Sequence, residues 1–435
     1  MTFRTKDSGI EWVGHIPSHW STRRIKFLAN REENSFIDGD WIESPYVIDK
    51  GIPYFTTGNI GDGVFKPSDS ASFISKESFE ELKCKFAYGG DLIFSRLNAP
   101  YGRSCLLPLS VGKCVIAVDN VILRTDQCKE FVCYVTQCPG YQKMIEGLSA
   151  GTAMKRISRT RLGNVKIPLP PLAEQRSIAT FLNKKCCAID SLIASKQALL
   201  EKLEEYRKAV ITKAVIMGIK PNGEFLSTNI KWLPTIPKHW KVVRLANCFK
   251  LVTRSPDVTL PVLSVSIHNG ISDKELDDSE RSRKVTLSED RSKYQCVKTD
   301  DLVYNMMRAW QGAFGVARIN GLVSPAYVVL EPKSGICSKY FEYLLKTPQF
   351  QACIQCFSQG IADFRNRLYW DKAKDIYVPL PPFDEQVQIA SFCGNTEDPT
   401  TPLKTQIEKT IATLKQYRSS LITAAVTGKI DVTDL

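Results

Sequence analysis

The chain has 435 residues, of which 43% are hydrophobic and 24% are charged, and its formal net charge at pH 7 is +12. This length and composition predict two to four globular domains and exclude a disordered chain. There is no apolar run at the start and none of about eighteen residues elsewhere, which excludes a signal peptide and a membrane-spanning helix, so we expect a cytoplasmic protein.

The excess of basic residues suits a polyanionic partner, although many basic proteins bind none. The 14 cysteines are irregularly spaced, which is typical of a reducing compartment and not of a disulfide framework. Cys353 and Cys356 form a single C-x-x-C pair. Without a second pair, we expect two thiols on a helix and no metal site.

In chain order, the sequence repeats itself. The aromatic segment EWVGHIPSHW lies near the start of the first half, and KWLPTIPKHW is its counterpart in the second half. We expect both segments to pack in the frame of a domain. Their histidines, His19 and His239, would then be buried or capping and would not act as ligands. Later blocks of the first half also return in the second, so the chain is a tandem duplication with a unit of about 210–220 residues. The matched blocks are 11–20 with 231–240, 89–102 with 299–312, 168–175 with 379–386, and 205–215 with 416–426.

Residues 1–167 and 219–378 are the variable parts of the two repeats. Short alternating apolar runs such as DLIFSRL and DLVYNMM, separated by turn residues, predict strands. Segments such as SKYFEYLLKTPQFQACIQCF predict helices. We therefore predict the α+β fold class, with two similar domains related by the duplication.

Several loop-like stretches in these domains combine basic residues with aromatic or amide side chains. Arginine and asparagine read base edges, while lysine, arginine and serine bind phosphates. A single such residue is more often a solvated charge or a packing contact, but two differing domains that carry these loops on a basic chain indicate DNA binding. The candidate DNA-binding residues are Arg96, Asn98, Tyr101, Arg103, Lys155, Arg156, Arg159, Arg161, Arg308, Trp310, Gln311, Arg365, Asn366 and Arg367.

Residues 168–218 and 379–435 are the shared tails of the two repeats. In the first tail, no proline or glycine occurs from Leu172 to Met217, which predicts one helix of roughly 65–70 Å. In the second tail, a glycine and two prolines within 393–402 predict a short helix, a break and then a long helix over about 403–427.

Apolar residues at three-and-four spacing indicate a coiled-coil-like stripe on each long helix. Since the stripes match, we predict that the two helices pack against each other in antiparallel directions, with the variable domains at opposite ends. The alternative is that each tail docks on its own variable domain. The predicted spacer and partner-binding residues are Leu192, Leu199, Leu203, Tyr206, Leu403, Ile407, Leu414 and Tyr417.

Common catalytic signatures are missing from the sequence. It contains no phosphate-binding GxxxxGK[ST], no GxGxxG and no HExxH. It also lacks the Asn/Asp-Pro-Pro-Tyr/Phe element of amino-methylating enzymes. We therefore expect a protein that is not itself an enzyme.

The order IPxHW, PLPPxxEQxxIAxF and YRxxxITxAV, present in both halves, resembles the specificity subunits of type I restriction-modification systems. The resemblance implies two target recognition domains, at 1–167 and 219–378, each reading one part of a bipartite DNA site. It implies that conserved spacers, at 168–218 and 379–435, set the distance between the half-sites and dock two methylation subunits. Those subunits would carry S-adenosylmethionine and the catalysis, with no cofactor in this chain, and restriction subunits would join some complexes.

Two other functions stay open at this point. The halves could grip two different proteins in a scaffold that binds no DNA, and salt dependence of binding would separate this from DNA recognition. An enzyme would require methyl transfer by the isolated chain.

Overall fold

The computed structural model describes residues 4–68, 71–149, 155–220, 223–267, 270–274, 291–359, 366–394 and 400–432. The chain divides into two compact units. Unit 1 comprises Met1–Gln197 with Glu408–Leu435, and unit 2 comprises Ala198–Ile407. No helix among the described residues has the length and apolar content needed to cross a membrane.

Unit 1 mixes short strands and helices, as the alternating apolar runs predict. Its strands are β1 (Thr5–Asp7), β2 (His15–Pro17), β3 (Ser21–Arg24), β4 (Phe36–Asp38), β5 (Val47–Ile48), β6 (Ile52–Phe55), β7 (Phe73–Ile74), β8 (Ala87–Tyr88), β9 (Leu92–Ser95), β10 (Ser104–Leu106), β11 (Lys113–Ile116), β12 (Asn120–Leu123) and β13 (Lys166–Leu169). Its helices are α1 (Lys76–Glu81), α2 (Lys129–Thr136), α3 (Pro139–Leu148), α4 (Arg159–Asn164) and the first part of α5 (Leu172–Met217).

The sheets of unit 1 bring the start of the variable domain beside its end. One antiparallel sheet has the order β10-β9-β12-β4 and a second sheet has the order β5-β7-β6-β11-β8. Strand β3 pairs with β13, so that Ser21 lies opposite Leu169. The aromatic frame segment therefore meets the segment that leads into the tail.

Unit 2 repeats the plan with different loops. Its strands are β14 (Phe225–Ile230), β15 (Leu233–Pro237), β16 (Lys241–Arg244), β17 (Phe249–Val252), β18 (Val265–Ser266), β19 (Gly270–Ile271), β20 (Gln295–Val297), β21 (Leu302–Asn305), β22 (Phe314–Val316), β23 (Gly321–Val323), β24 (Tyr327–Pro332) and β25 (Tyr377–Leu380). Its helices are α6 (Leu245–Cys248), α7 (Ser338–Leu345), α8 (Pro348–Phe357), α9 (Trp370–Ala373), α10 (Phe383–Gly394) and α11 (Thr400–Val426), the last of which ends in unit 1. The central sheet has the order β17-β24-β21-β22, and β16 pairs with β25 as β3 pairs with β13.

Each core contains helical segments from both tails. In unit 1, Ile178 and Leu182 of α5 lie in one apolar cluster with Ile422 and Val426 of α11. In unit 2, the last turn of α5, including Val215, lies in a cluster with α10. Because burial of apolar area is the main driving force for folding, the tails are integral parts of both cores.

In unit 1, the repeated PLPPxxEQ block joins the variable domain to the tail. The Glu174 carboxylate accepts a hydrogen bond from Trp20 Nε1 at 2.8 Å and contacts His19 Nε2 at 2.8 Å. Trp20 is buried, whereas the side chain of His19 is 45% exposed. We call this Trp20–His19–Glu174 set, and its counterpart in unit 2, the junction.

In unit 2, the junction recurs with the same geometry. Trp240 Nε1 donates to Glu385 at 2.9 Å and His239 Nε2 lies 2.8 Å from the same carboxylate. The expectation that His19 and His239 are buried is wrong, because both rings lie at the surface beside a glutamate.

The glutamine of the block has its own repeated role. Gln175 Oε1 accepts from the Cys128 backbone N–H at 3.0 Å, and its Nε2 donates to the Pro170 carbonyl at 2.8 Å. Gln386 makes the corresponding contacts with Cys337 and Pro381 at 2.9 Å each. The PLPPxxEQ block therefore recurs because the same set of contacts is formed in each unit. These contacts connect the aromatic frame of the domain with the end of its last strand and the start of the tail helix.

The predicted helices of the tails are confirmed. Helix α5 runs unbroken from Leu172 to Met217, and the second tail contains α10 and α11. Within unit 1 the two tails run antiparallel. Asp190 of α5 pairs with Arg418 of α11 at 3.0 Å. Gly428, just beyond α11, packs against Trp20, whose indole contacts Glu174 in the first turn of α5.

The predicted packing stripe is wrong for five of its eight residues. Leu203, Ile407 and Leu414 are buried or half-buried, as expected of a packed position. The other five are exposed. On α5 the buried stripe passes instead through Cys186, Ile189 and Ile193, an adjacent three-and-four series, and on α11 Ile407 and Ile411 are buried. The exposed five are Leu192, Leu199, Tyr206, Leu403 and Tyr417.

Candidate nucleic-acid interface

In unit 1, the fold brings two predicted DNA-binding stretches together. The Ile157 backbone N–H donates to the Arg96 carbonyl at 3.0 Å, and Leu97 and Arg156 form an antiparallel bridge. Residues 96–103 and 155–161, far apart in sequence, thus form one surface, which we call loop pair 1.

In unit 2, the same contact recurs at the matching residues. The Leu368 N–H donates to the Met306 carbonyl at 2.9 Å, and Arg367 bridges to Gln359. Residues 306–311 and 366–368 therefore form loop pair 2. The backbone frame of the two surfaces is shared, whereas their side chains differ.

Arg103 holds loop pair 1 from inside. It is buried, and its guanidinium donates to the carbonyls of Asn98 at 2.7 Å and Thr57 at 2.9 Å, and also to those of Ile60, Leu97 and Pro100. A buried guanidinium whose three nitrogens each donate to backbone carbonyls is not available to read a base edge. The prediction of direct DNA contact by Arg103 is therefore corrected to a positioning role.

Arg96 is also buried and lies among acids. Its guanidinium is 3.3 Å from Asp38 and 4.0 Å from Asp119, and it donates to the Val118 carbonyl. These contacts fix the position of loop pair 1 from its buried side. The prediction of direct DNA contact by Arg96 is therefore also corrected to a positioning role.

Asp38 and Asp119 also pair with exposed members of loop pair 1. Arg156 lies 3.4 Å from Asp119, and Arg159 lies 3.4 Å from Asp38. Sequence reasoning missed these acids because they are distant in the chain and belong to no basic stretch. They offset part of the positive charge and hold two arginines at fixed places on the surface.

The other candidates of loop pair 1 lie at or near the surface. Asn98 is exposed, with a backbone φ of +63°, a left-handed conformation that asparagine tolerates better than most residues. Lys155 and Arg161 are exposed, and Arg161 donates to the Leu148 carbonyl at 3.0 Å. Tyr101 is half-buried and packs against the core.

The candidates of loop pair 2 are mostly half-buried. Arg308, Gln311 and Asn366 are half-buried, and Arg367 is exposed. Trp310 packs on the core and donates from Nε1 to the Met307 carbonyl at 3.2 Å. Arg365 lies outside the described residues.

Sequence reasoning also missed a cleft next to loop pair 2. It is lined by Lys293, Tyr294, Met306 and Tyr327. Only Met306 belongs to a stretch singled out in the sequence, because the others come from separate strands and turns that tertiary pairing brings together. Among the described residues, no group of three or more His, Cys, Asp or Glu side chains could hold a metal ion.

Comparison with known proteins bears on these surfaces. Residues 17–205 match the family model of the type I restriction modification DNA specificity domain. The chain is 22% identical over 412 residues to the type I restriction enzyme EcoKI specificity subunit of Escherichia coli, covering 88% of this chain and 84% of that one. The chain is thus similar to specificity subunits of type I restriction-modification systems over most of its length, and residues 17–205 match their DNA specificity domain. The resemblance drawn from the sequence is thereby confirmed.

Two further comparisons differ in how much of each chain they cover. The EcoBI specificity subunit of Escherichia coli is 25% identical over 310 residues, covering 67% of this chain and 64% of that subunit, slightly less than two thirds of its length. A solved chain from work on complex assembly and conformational transition of the type I R-M system has 14% identity and a TM-score of 0.67, and covers 95% of this chain and 99% of that chain. This likeness shows that the two chains share a fold and confirms the predicted α+β class.

Proposed function

We propose that the chain is the sequence-specific, non-catalytic DNA-recognition subunit of a type I restriction-modification complex, each variable domain reading one part of a bipartite site. The observation that carries the proposal is the duplicated loop pair. One backbone contact frames both surfaces, while their exposed side chains differ, Asn98 and Arg156 in one and Arg308 and Arg367 in the other. Two unlike readers on one scaffold suit a site with two unlike halves.

The proposed organisation follows from the same reasoning. Residues 1–167 and 219–378 would be the target recognition domains, and 168–218 and 379–435 the spacers. The buried arginines, Arg96 and Arg103, support the proposal in a different way from the exposed residues. They fix the loop backbone before DNA arrives, which lowers the entropic cost of binding.

The spacers also expose apolar side chains at matching positions. Leu192 and Leu403 are 52% and 46% exposed, and Tyr206 and Tyr417 are 63% and 56% exposed. Exposed apolar residues repeated on two helices are suited to binding the same partner twice. We therefore propose that they dock two methylation subunits, which would bring S-adenosylmethionine and the catalysis, with restriction subunits joining afterwards.

The recognition role is tested by selecting bound duplexes from a random pool, with the full chain and its methylation subunits at moderate salt. A two-part motif is expected. Replacing residues 1–167 by the domain of another specificity subunit should change one half of that motif. If both halves changed, independent reading would be wrong, and if no motif emerged while the chain bound proteins, the scaffold alternative would hold.

The loop pairs are tested by single substitutions. Asn98→Ala should relax base preference in one half-site and Arg367→Gln in the other, by roughly 1–3 kcal/mol of discrimination for each lost base contact. Lys83→Gln, an exposed residue outside both loop pairs, is the control. Loss of affinity that is equal for all sequences would show that the substituted residue contacts phosphates.

Methylation-subunit docking has its own test. The double variant Leu192→Ser with Leu403→Ser should weaken assembly, measured by size-exclusion chromatography. The exposed polar pair Thr180→Ala with Thr413→Ala, also on the spacer helices, is the control. Unchanged assembly of the leucine variant would remove these residues from the interface.

A further inference from the structure

The ribbon formed by β3 and β13 carries two like charges face to face. Arg24 lies directly opposite Lys166 in the antiparallel register, and both side chains are exposed. Within the described part of the chain, neither side chain has an acidic partner in an ion pair. Directly opposed residues have Cβ atoms about 4.5–5.5 Å apart, where like charges repel and destabilise the pair.

The surroundings of the pair add positive charge. Arg23 is exposed, and Lys26, in the 3₁₀ turn that follows β3, lies with Nζ 5.1 Å from the centre of the Phe27 ring. The two strands read STRR and KIPL and contain no acid. In this respect the ribbon differs from loop pair 1, where Asp38 and Asp119 offset the arginines.

The matching ribbon of unit 2 is neutralised internally. There Arg244 lies opposite Tyr377, whose ring centre is 6.0 Å from the guanidinium. Asp375 lies 3.5 Å from Arg244 as well. The same backbone pairing therefore forms with a compensated charge, so the uncompensated cations of unit 1 are not needed to build it.

The unit 1 ribbon lies close to loop pair 1. Helix α4 begins at Arg159, a member of the loop pair, and ends at Asn164, two residues before Lys166. A helix of this length spans about 9 Å. This is short compared with one DNA turn of about 34 Å, so the ribbon is within reach of a duplex that binds loop pair 1 and extends toward it.

We propose that the Arg24–Lys166 pair is a binding site for the phosphate backbone of duplex DNA, adjacent to the half-site read by unit 1. Neighbouring phosphates, one at each cation, offset the repulsion between the two side chains, and these contacts carry no base information. This inference rests on the proposed DNA-recognition function and adds a sequence-independent contact to unit 1 that unit 2 lacks at the matching position.

The test compares the double variant Arg24→Gln with Lys166→Gln against the unaltered chain, each assembled with methylation subunits. DNA affinity is measured from 50 to 200 mM salt. Each neutralised phosphate contributes about 0.9 to the slope of log affinity against log salt, so the variant's slope should be shallower by about 1.8. Over this fourfold range, the variant should lose about 12-fold less affinity than the unaltered chain.

Two controls separate this effect from others. Lys76→Gln with Lys83→Gln removes the same net charge from the exposed region of α1 and should leave the slope unchanged. Arg24→Lys keeps the charge and should keep the slope. The preferred sequence should be the same for all variants, because phosphate contacts do not select bases.

The outcomes are distinguishable. If the unaltered chain binds a two-part motif and the double variant has the same slope, the phosphate site is refuted and the proposed function stands. If the variant keeps its slope but fails to assemble with methylation subunits, the ribbon is a protein contact and the inference is overturned. If the unaltered chain shows no DNA preference, the proposed function itself fails.

Discussion

Removing the junction carboxylate by Glu174→Ala should loosen the start of α5 by a calculable amount. Trp20 is 3% exposed, and its Nε1 donates to Glu174 at 2.8 Å. Without the acceptor, this N–H stays buried and unpaired, which costs about 1–3 kcal/mol. The contact with the exposed His19 adds little. We therefore expect a loss of about 2 kcal/mol in the local free energy of opening.

Hydrogen exchange resolved by peptide is the appropriate assay, since local opening need not follow global unfolding. Amides in the first turns of α5 should exchange about 30-fold faster in the variant, the equivalent of 2 kcal/mol. Glu385→Ala should accelerate exchange at the start of α10 by a similar factor, because the two junctions have the same geometry. Glu201→Ala, at an exposed helix position, serves as the control.

The reasoning would be refuted if Glu174→Ala changed exchange by less than about threefold, within the range of ordinary surface substitutions. A large difference between the two glutamate variants would also contradict it, since the repeat predicts equal effects. Combining Glu174→Ala with Trp20→Phe should cost less than the sum of the two single changes, because phenylalanine leaves no unpaired donor.

Three further predictions concern burial and charge. Arg103→Ala should cost about 3 kcal/mol of stability, measured by urea unfolding, because several carbonyls lose a charged donor; a cost under 1 kcal/mol would contradict its anchoring role. Burial would by itself raise the pKa of Glu342, but Lys346 and Lys339 outweigh it and lower that pKa from its ordinary value of 4.5. Unit 2 should therefore lose stability as the pH falls below about 4.5. A Glu342→Gln variant, which lacks the carboxylate at every pH, should show a melting temperature that depends less on pH in this range. Equal pH dependence of the two proteins would refute the lowered pKa of Glu342. Cys187 and Cys356 are exposed and should be alkylated by iodoacetamide at pH 8. Burial raises the pKa of Cys105 to about 12, so this thiol should react only after denaturant is added. Early labelling of Cys105 in a mass-spectrometric time course would contradict its burial.

Helical segments of the tails were the most accurately predicted part of the chain. The unbroken course of α5 from Leu172 to Met217 and the presence of two helices, α10 and α11, in the second tail depend on local backbone preferences, which a sequence displays directly. The choice between adjacent apolar stripes on the same helix was not accessible, because Leu192 and Ile193 both satisfy the spacing and only the packed neighbours decide which is buried.

The candidate interface shows the same division. Arg96 and Arg103 resemble surface arginines in the sequence, yet both are buried against backbone carbonyls and acids from distant strands. The sequence of a basic stretch shows its charge, but it does not show which of its guanidinium groups pair with other parts of the protein. Asp38 and Asp119 form ion pairs with the arginines of loop pair 1. No feature of the sequence near these two acids indicates that they belong to this surface.

By itself, the sequence determined the duplication, the extent of the long helices, the mixed fold class and the resemblance to type I specificity subunits, because each rests on local propensity or on matching residues along the chain. The tertiary structure decided which side chains face solvent, which arginines position loops, and why the EQ dipeptide recurs. Those properties depend on contacts between residues that are distant in the sequence, such as Arg103 with Thr57 and Trp20 with Glu174. Such contacts exist only once the chain has folded.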